Sequence, residues 1–496
     1  MVKFRQGFIL KSGLRKFFLV LVCLMMVFLL NMFGGVACAA GEVCLKLGRI
    51  EDVKGWLDCE LAGLEDVNAI NIELCDDIYI GYDVFGLGNG DCAMNPGENY
   101  IFNFTDPRFK GMTININGHG KKITVCKRDL LFLRASDCVV NLNDVRLSSR
   151  HGLTRQSSCI YLGAPSEGQK SVLNLNGSSS IEGFCSLING GAIFAESSTV
   201  VNMNDDSVIS GCFVESRAWI ETLIAQKGAG CVDENGGAIC AQGSACINLN
   251  ANSSIVECGS EKNGGAISVK SGTVNMYGKS RISSCRASCG GGAIYGKSAT
   301  VSLNQNSEIA GCEAADFGGW AICLESGTVN MNENCRVVGC EFSRTEAILV
   351  DEGKVIMNAN SEISGCKTRR NGAICVFYGL VEMNGKSKIS KCKGMEAGAI
   401  YVRKGDVSMN GNSMISDCEA EYGGAIDVLN GNVFMNENSS ISDCQAGEGG
   451  AIDVLSGKVT INANSSIRRC KAEGKGAVYS GGCATVVLNG GRIEDC

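Results

Sequence analysis

"GGAIDVLNGNVFMNENSSISDCQAGE" occupies residues 423–448, and "GGAIDVLSGKVTINANSSIRRCKAEG" follows at once over residues 449–474. The second stretch keeps almost every apolar position of the first. Within each the apolar period is two: Ile426 and Val428 share one side of a strand with Asp427 on the other, Val433 and Met435 flank an outward Phe434, and Ile441 follows the "NENSS" turn. Three short strands separated by Gly, Asn and Ser make one triangular coil. A single coil cannot bury its own apolar side, but stacked coils let each strand pair in parallel with its copies above and below. Like residues must therefore fall on like.

The frame extends well beyond these two units. With the Ile of G-A-I as marker, copies stand at Ile193, Ile239, Ile267, Ile294, Ile322, Ile348, Ile374, Ile400, Ile426 and Ile452, with Val478 last. Six of the ten spacings are 26 residues, three are 27 or 28, and one is 46. Such a period predicts a single-stranded parallel β-helix, a solenoid of about 26-residue coils, rather than a row of globular domains. Stacking then predicts columns. One is the alanine before the marker, from Ala192 to Ala477, at a corner too tight for a larger side chain. A second is an asparagine at a strand end, Asn204, Asn250, Asn304, Asn332 and onward to Asn489, whose amides can hydrogen-bond along the axis.

The third column is cysteine: Cys212, Cys258, Cys285, Cys312, Cys340, Cys366, Cys392, Cys418, Cys444, Cys470 and Cys496. Stacked copies lie about 4.8 Å apart, yet their Cβ vectors run parallel instead of toward each other. The column therefore reads as buried reduced thiols acting as small apolar fillers. One sulfur per coil along a line does not make a tetrahedral metal set, so no metal site is expected. Cys44, Cys59, Cys75 and Cys92 are the disulfide candidates.

The string "ISDCEAEYGGAI" (residues 415–426) couples I-S-x-C-x-A to G-G-A-I. It resembles the paired F-x-x-N and G-G-A-I motifs of chlamydial-type polymorphic outer membrane proteins. The resemblance covers residues 190–496 and, more faintly, 114–185. It implies a right-handed parallel β-helix of the adhesin or autotransporter-passenger type, secreted or on the cell surface. Ile stands here for the family's Phe and Cys for its Asn. No C-terminal β-barrel follows, so outer-membrane autotransport is not implied.

Residues 1–39 read as a signal peptide. Lys3, Arg5, Lys11, Arg15 and Lys16 precede an apolar run over residues 17–33, and cleavage after Ala39 fits the small residues of "GGVACAA". The alternatives are an uncleaved anchor, the run being at the lower limit for a membrane span, or lipidation at Cys38. Residues 40–111 read as a cap region and first strands, in which "IEDVKGWLDCELAGL" has helical spacing and would cover the open end of the core. Residues 112–189 read as irregular first coils beginning near Ile114, and 190–496 as the regular repeat. An insertion at 213–234 places Trp219 on a short helix.

The 496 residues carry a net charge of -7 and are 45% hydrophobic and 20% charged, which describes a folded, mildly acidic chain without the basic patch that nucleic acid requires. Only two histidines are present, against any scheme resting on imidazole. "GHG" at residues 118–120 is similar to a polygalacturonase motif, but the frame places it in a turn with no accompanying R-I-K or Asp cluster. His119 is not expected to be catalytic.

The outward column beside the G-A-I strand supplies the candidate binding residues: Tyr295, Tyr401, Asp427, Asp453 and Tyr479 on an exposed strand face, with Trp219 in the insertion. Tyr beside Asp can stack on sugars or grip a protein partner, and both also occur on ordinary solvated strands. The expected function is an exported, non-enzymatic, adhesin-like structural or ligand-binding role. Its partner would be a host or neighbouring-cell surface protein or glycan, with membrane contact only through an uncleaved N-terminal segment. No cofactor is expected. The alternative is a polysaccharide lyase or glycoside hydrolase. Because the register is unbroken over residues 348–496, that stretch offers an enzyme no site. The final coil stops on Cys496 with its strand groups unpaired, which predicts cover there by self-association, by a partner or by residues beyond Cys496.

Overall fold

The computed structural model describes residues 35–37, 42–48, 67–80, 100–125, 131–149, 154–155, 158–187, 189–215, 235–315, 318–339 and 346–496. These form an all-β parallel solenoid of about 14 turns with about 27 residues per turn. The register is the one the repeat requires. Ile400 pairs with Ile426, Ile426 with Ile452 and Ile452 with Val478, while on the third strand Ile415, Ile441, Ile467 and Ile493 follow one another. Their inward side chains make one continuous apolar core running from Leu45 to Cys470. Burial of stacked Ile, Val and Met is the main favourable term, and each coil gains it only against its neighbours.

The coil differs from three separate strands in one respect. From the Ile322 coil to the Ile452 coil the first two strands fuse into one of ten residues or more, such as Ile426–Met435, whereas earlier coils keep them apart, as in Ile267–Lys270 and Thr273–Met276, and so does the last, with Val478–Ser480 and Thr485–Asn489. The pivot is a column of glycines at positions 327, 353, 379, 405, 431 and 457, with φ between 134° and 155°. Glycine bends the strand round the corner without interrupting its pairing, so it acts as a hinge where the sequence suggested a separator. A further sheet of two-residue strands, Arg286–Ala287 among them, forms just after the column cysteine.

The other corners use residues that tolerate positive φ. Glu437 and Asn438 have φ of 55° and 65° in the turn after the second strand, and Asp443 has φ of 57° immediately before Cys444. That one left-handed residue turns the Cys444 side chain into the core, where it is buried. The column cysteines among the described residues are all reduced, and from Cys212 to Cys470 all are buried. Burial, followed by hydrogen bonds to the Cys212 and Cys285 thiols, pushes Cys258 well above the ordinary thiol range. Cys340 lies outside the described residues. Of the disulfide candidates Cys44 is disulfide-bonded, but Cys75 is an exposed reduced thiol, since its strand end leaves the sulfur in solvent. Cys59 and Cys92 lie outside the described residues.

Parallel stacking reaches upstream of Ile114: Glu42–Leu47 pairs with Ala69–Leu74, which pairs with Thr113–Asn117. Gly35–Ala37 pairs antiparallel with residues 43–45. The expected helical cap, most of the 213–234 insertion with Trp219, and the apolar run at 17–33 lie outside the described residues. Among the described residues the single helical turn is Pro107–Phe109, and no helix is long and apolar enough to cross a membrane.

Candidate functional site

The G-A-I strands bring the candidate residues into one outward column. Tyr295, Cys323, Leu349, Cys375, Tyr401, Asp427, Asp453 and Tyr479 are successive direct partners across adjacent strands. Tyr401, Asp427, Asp453 and Tyr479 are therefore neighbours, and Tyr295 sits four coils further up.

The column is not exposed. Tyr295 is 7%, Tyr401 8%, Asp427 4% and Asp453 6% accessible, and Tyr479 is half-buried. The cause is the turn that leads into each strand. A Cβ on Gly423 would lie 2.0 Å from the Ile426 carbonyl oxygen, so the chain doubles back over the strand it is about to form. A second small core results outside the strand, where Cys375, Ala397 and Tyr401 pack with Leu349, Phe377 and Leu429.

Covering these groups alters their chemistry. Burial pushes Asp427 up to about 8, with Asp453 and Glu396 adding like charge. Asp453 is held at about 6 by burial and Glu448, with Lys475 opposing. Tyr401 is raised to about 12, by burial first and then by the Asp427 charge. Lys475 is already engaged: its Nζ lies 2.8 Å from Glu448 Oε2 and 4.0 Å from the Tyr479 ring centroid.

Further up, the tyrosines of the column find carboxylates on the next coil. Tyr161 donates to Glu196 Oε1 at 2.5 Å, with Arg134 5.1 Å from its ring centroid, and Tyr295 donates to the Glu325 carboxylate. Glu196 and Glu325 escaped sequence reasoning because each stands two residues past the column position, one coil away. Glu346 was missed too. It replaces the second glycine of G-G-A-I, lies buried with its carboxyl above the usual range through desolvation, and accepts from Asn371 Nδ2 at 2.6 Å.

The asparagine column forms the expected ladder. Asn332 donates to Asn304, Asn358 to Asn332, and so on to Asn489 on Asn462, at 2.5–3.0 Å. A shorter run from Asn117 to Asn250 continues it above, with Tyr277 filling the column position between the runs. A second ladder, two residues earlier on the same strand, joins Asn71, Asn115, Asn141, Asn174, Asn202, Asn248 and Asn275. The alternation "NLN" and "NMN" was its signal.

His119 lies in a turn between two strands, as the frame required, and its Nε2 is 2.6 Å from Glu73 Oε2. Among the described residues no group of three or more His, Cys, Asp or Glu is placed to hold a metal ion. The fold defines the chain as a parallel β-solenoid protein with two outward amide ladders and a covered acidic and aromatic column. No protein-family model, curated protein or solved structure matches this chain.

Proposed function

We propose that the chain is an exported or cell-surface, non-enzymatic β-helix protein of the adhesin type, related in kind to the polymorphic outer membrane proteins that its G-G-A-I repeat resembles. The observation that carries this reading is the pair of amide ladders on the outward side of the second strand. An interior ladder amide such as Asn358 or Asn384 uses one N–H and one oxygen lone pair along the axis and has one of each left for a partner, whereas Asn304 spends its N–H groups on the Met276 and Ser302 carbonyls, and the Asn248 and Asn410 oxygens also accept from Cys246 and Ser408. The result is a rigid array of donors and acceptors at a repeat of about 4.8 Å, suited to the recurring hydroxyls of a glycan or the polar surface of a protein. Tyr295, Tyr401, Asp427 and Asp453 support this surface from beneath their cover instead of touching the partner. Secretion rests on the basic and apolar N-terminal segment.

The second reading, a polysaccharide lyase or glycoside hydrolase, draws on Asp427 and Asp453, two adjacent carboxyls held above the usual range, as acid–base hydrolysis requires. Their burial favours the first reading, since a substrate has to reach both oxygens. Binding to a glycan and cell-surface protein array, run beside an assay for reducing ends or unsaturated products on a polysaccharide panel, separates the two. Turnover lost in Asp427→Asn would establish the enzyme, and binding without turnover the adhesin.

A further inference from the structure

We infer that the stacked Asp427 and Asp453 form a proton-dependent latch. While the pair retains a proton, the turn segments carrying Glu396 and Glu448 lie down on the outer face of the solenoid, and when it ionises they lift. This device does not depend on the adhesin reading.

The geometry behind it is rigid. Asp427 and Asp453 are direct partners in adjacent parallel strands, so the ladder fixes their backbones about 4.8 Å apart and the carboxyls cannot retreat along the axis. Both are nine-tenths buried or more. Among the described residues no hydrogen-bond donor and no cation meets Asp427. It faces Tyr401 from one coil, Asp453 from the next and Glu396 from the turn above it. Asp453 faces Glu448, and the one cation near it, Lys475, already bridges Glu448 and Tyr479. The remaining charged and titratable neighbours do not correct the imbalance. Tyr422 feels Glu421, Glu396, Glu448 and Asp427 as like charge, and Arg403 acts on Tyr401. Two carboxylates held this close out of water do not both ionise near neutrality.

The cover is the part held outside the core sheets. Residues 394–396 are held by hydrogen bonds outside the core sheets, Met395 and Glu396 N–H to Arg370 O at 2.6 and 2.9 Å and Gly394 N–H to Glu419 O at 3.0 Å, while buried Ala397, bridged to Gly423, and Gly398, whose N–H donates to Gly423 O at 3.1 Å, anchor the end of the turn. Glu448 N–H donates to Glu421 O at 3.0 Å, and Glu421 N–H to Met395 O at 2.8 Å, so the turns form their own outer stack. Repulsion from an ionised pair is relieved by opening these bonds, while the strands beneath stay packed.

Hydrogen exchange read by mass spectrometry at pH 6 and pH 9, corrected for the intrinsic rate, tests the latch on the whole chain. In the wild type, peptides spanning 393–398 and 445–450 should lose at least about tenfold in protection at pH 9, a change of about 1.4 kcal/mol in local opening, while the strand Ile426–Met435 keeps its own. The Asp427→Asn/Asp453→Asn double variant should stay protected at both pH values. If the double variant does not fold, Asp427→Asn alone gives the same comparison, because one carboxyl then has no stacked partner to repel. Equal wild-type protection at the two pH values, or opening in a folded variant like that of the wild type, overturns the proposal.

Discussion

A Cβ added to Gly431 would stand 1.7 Å from the carbonyl oxygen of Gly405, its neighbour in the next coil. The same contact recurs in each fused strand, so the pivot tolerates no side chain on either the steric or the φ criterion. Gly431→Ala should destabilise the surrounding coils by at least about 1–3 kcal/mol, read as a lower urea midpoint. Gly482→Ala, where nothing lies within 4 Å, is the matched control and should leave the midpoint unchanged.

Ala425 is fully buried at the corner before the strand, and its N–H donates to Ala451 O at 2.9 Å. Ala425→Leu should force the stacked strands apart at a cost of about 1–3 kcal/mol. An unchanged thermal transition would contradict the tight corner. Because solenoids unfold by segments, peptide-level exchange reports the loss better than one global midpoint.

The column thiols of Cys258, Cys285, Cys392, Cys418 and Cys444 are enclosed, whereas Cys75, Cys483 and Cys496 face solvent. Alkylation of the native protein, mapped by mass spectrometry, should modify the second group rapidly and the first only after denaturant is added. Fast native labelling between Cys212 and Cys470 would mean that the cysteines do not line the core; Cys496, expected from the repeat to be buried with the rest of the column, is exposed instead.

Asn410 both donates to Asn384 and accepts from Asn436, each at 2.9 Å. Asn410→Ala removes both ladder bonds and should cost about 1–2 kcal/mol, seen as a lower denaturation midpoint. Asn462→Ala breaks the same two kinds of bond nearer the end and should cost a similar amount.

Stability should depend on pH in the direction opposite to that of a salt-bridged aspartate. Asp427 is held at about 8 and Asp453 at about 6 in the fold, against about 3.9 in an unfolded chain. Between those values the folded state binds more protons than the unfolded state, so stability falls as pH rises and levels off above the upper value. The melting temperature should therefore be higher at pH 5 than at pH 8, and Asp427→Asn should shrink the difference, chiefly by raising the value at pH 8. Glu346, also held above the usual carboxyl range by burial, contributes in the same direction.

Much of this architecture was legible in residues 423–474. A period of 26 with alternation of two sets the strand direction, the register and the columns, because in a parallel stack each backbone hydrogen bond fixes which residue lies over which. Ile441 over Ile415, Asn436 over Asn410 and Cys444 over Cys418 all follow from counting. Alternation also told correctly that Asp427 and Tyr401 point away from the core. It was silent on whether that outer side meets water, since this depends on the path of a turn whose residues carry no period of their own. Only the tertiary structure decided that the chain folds back at Gly423 to cover the column, changing Asp427 from a solvated contact residue into a desolvated carboxyl. Only the structure, too, decided that Gly431 bends its strand and does not end it, because glycine permits both and the stacked Gly405 carbonyl leaves room for the bend alone.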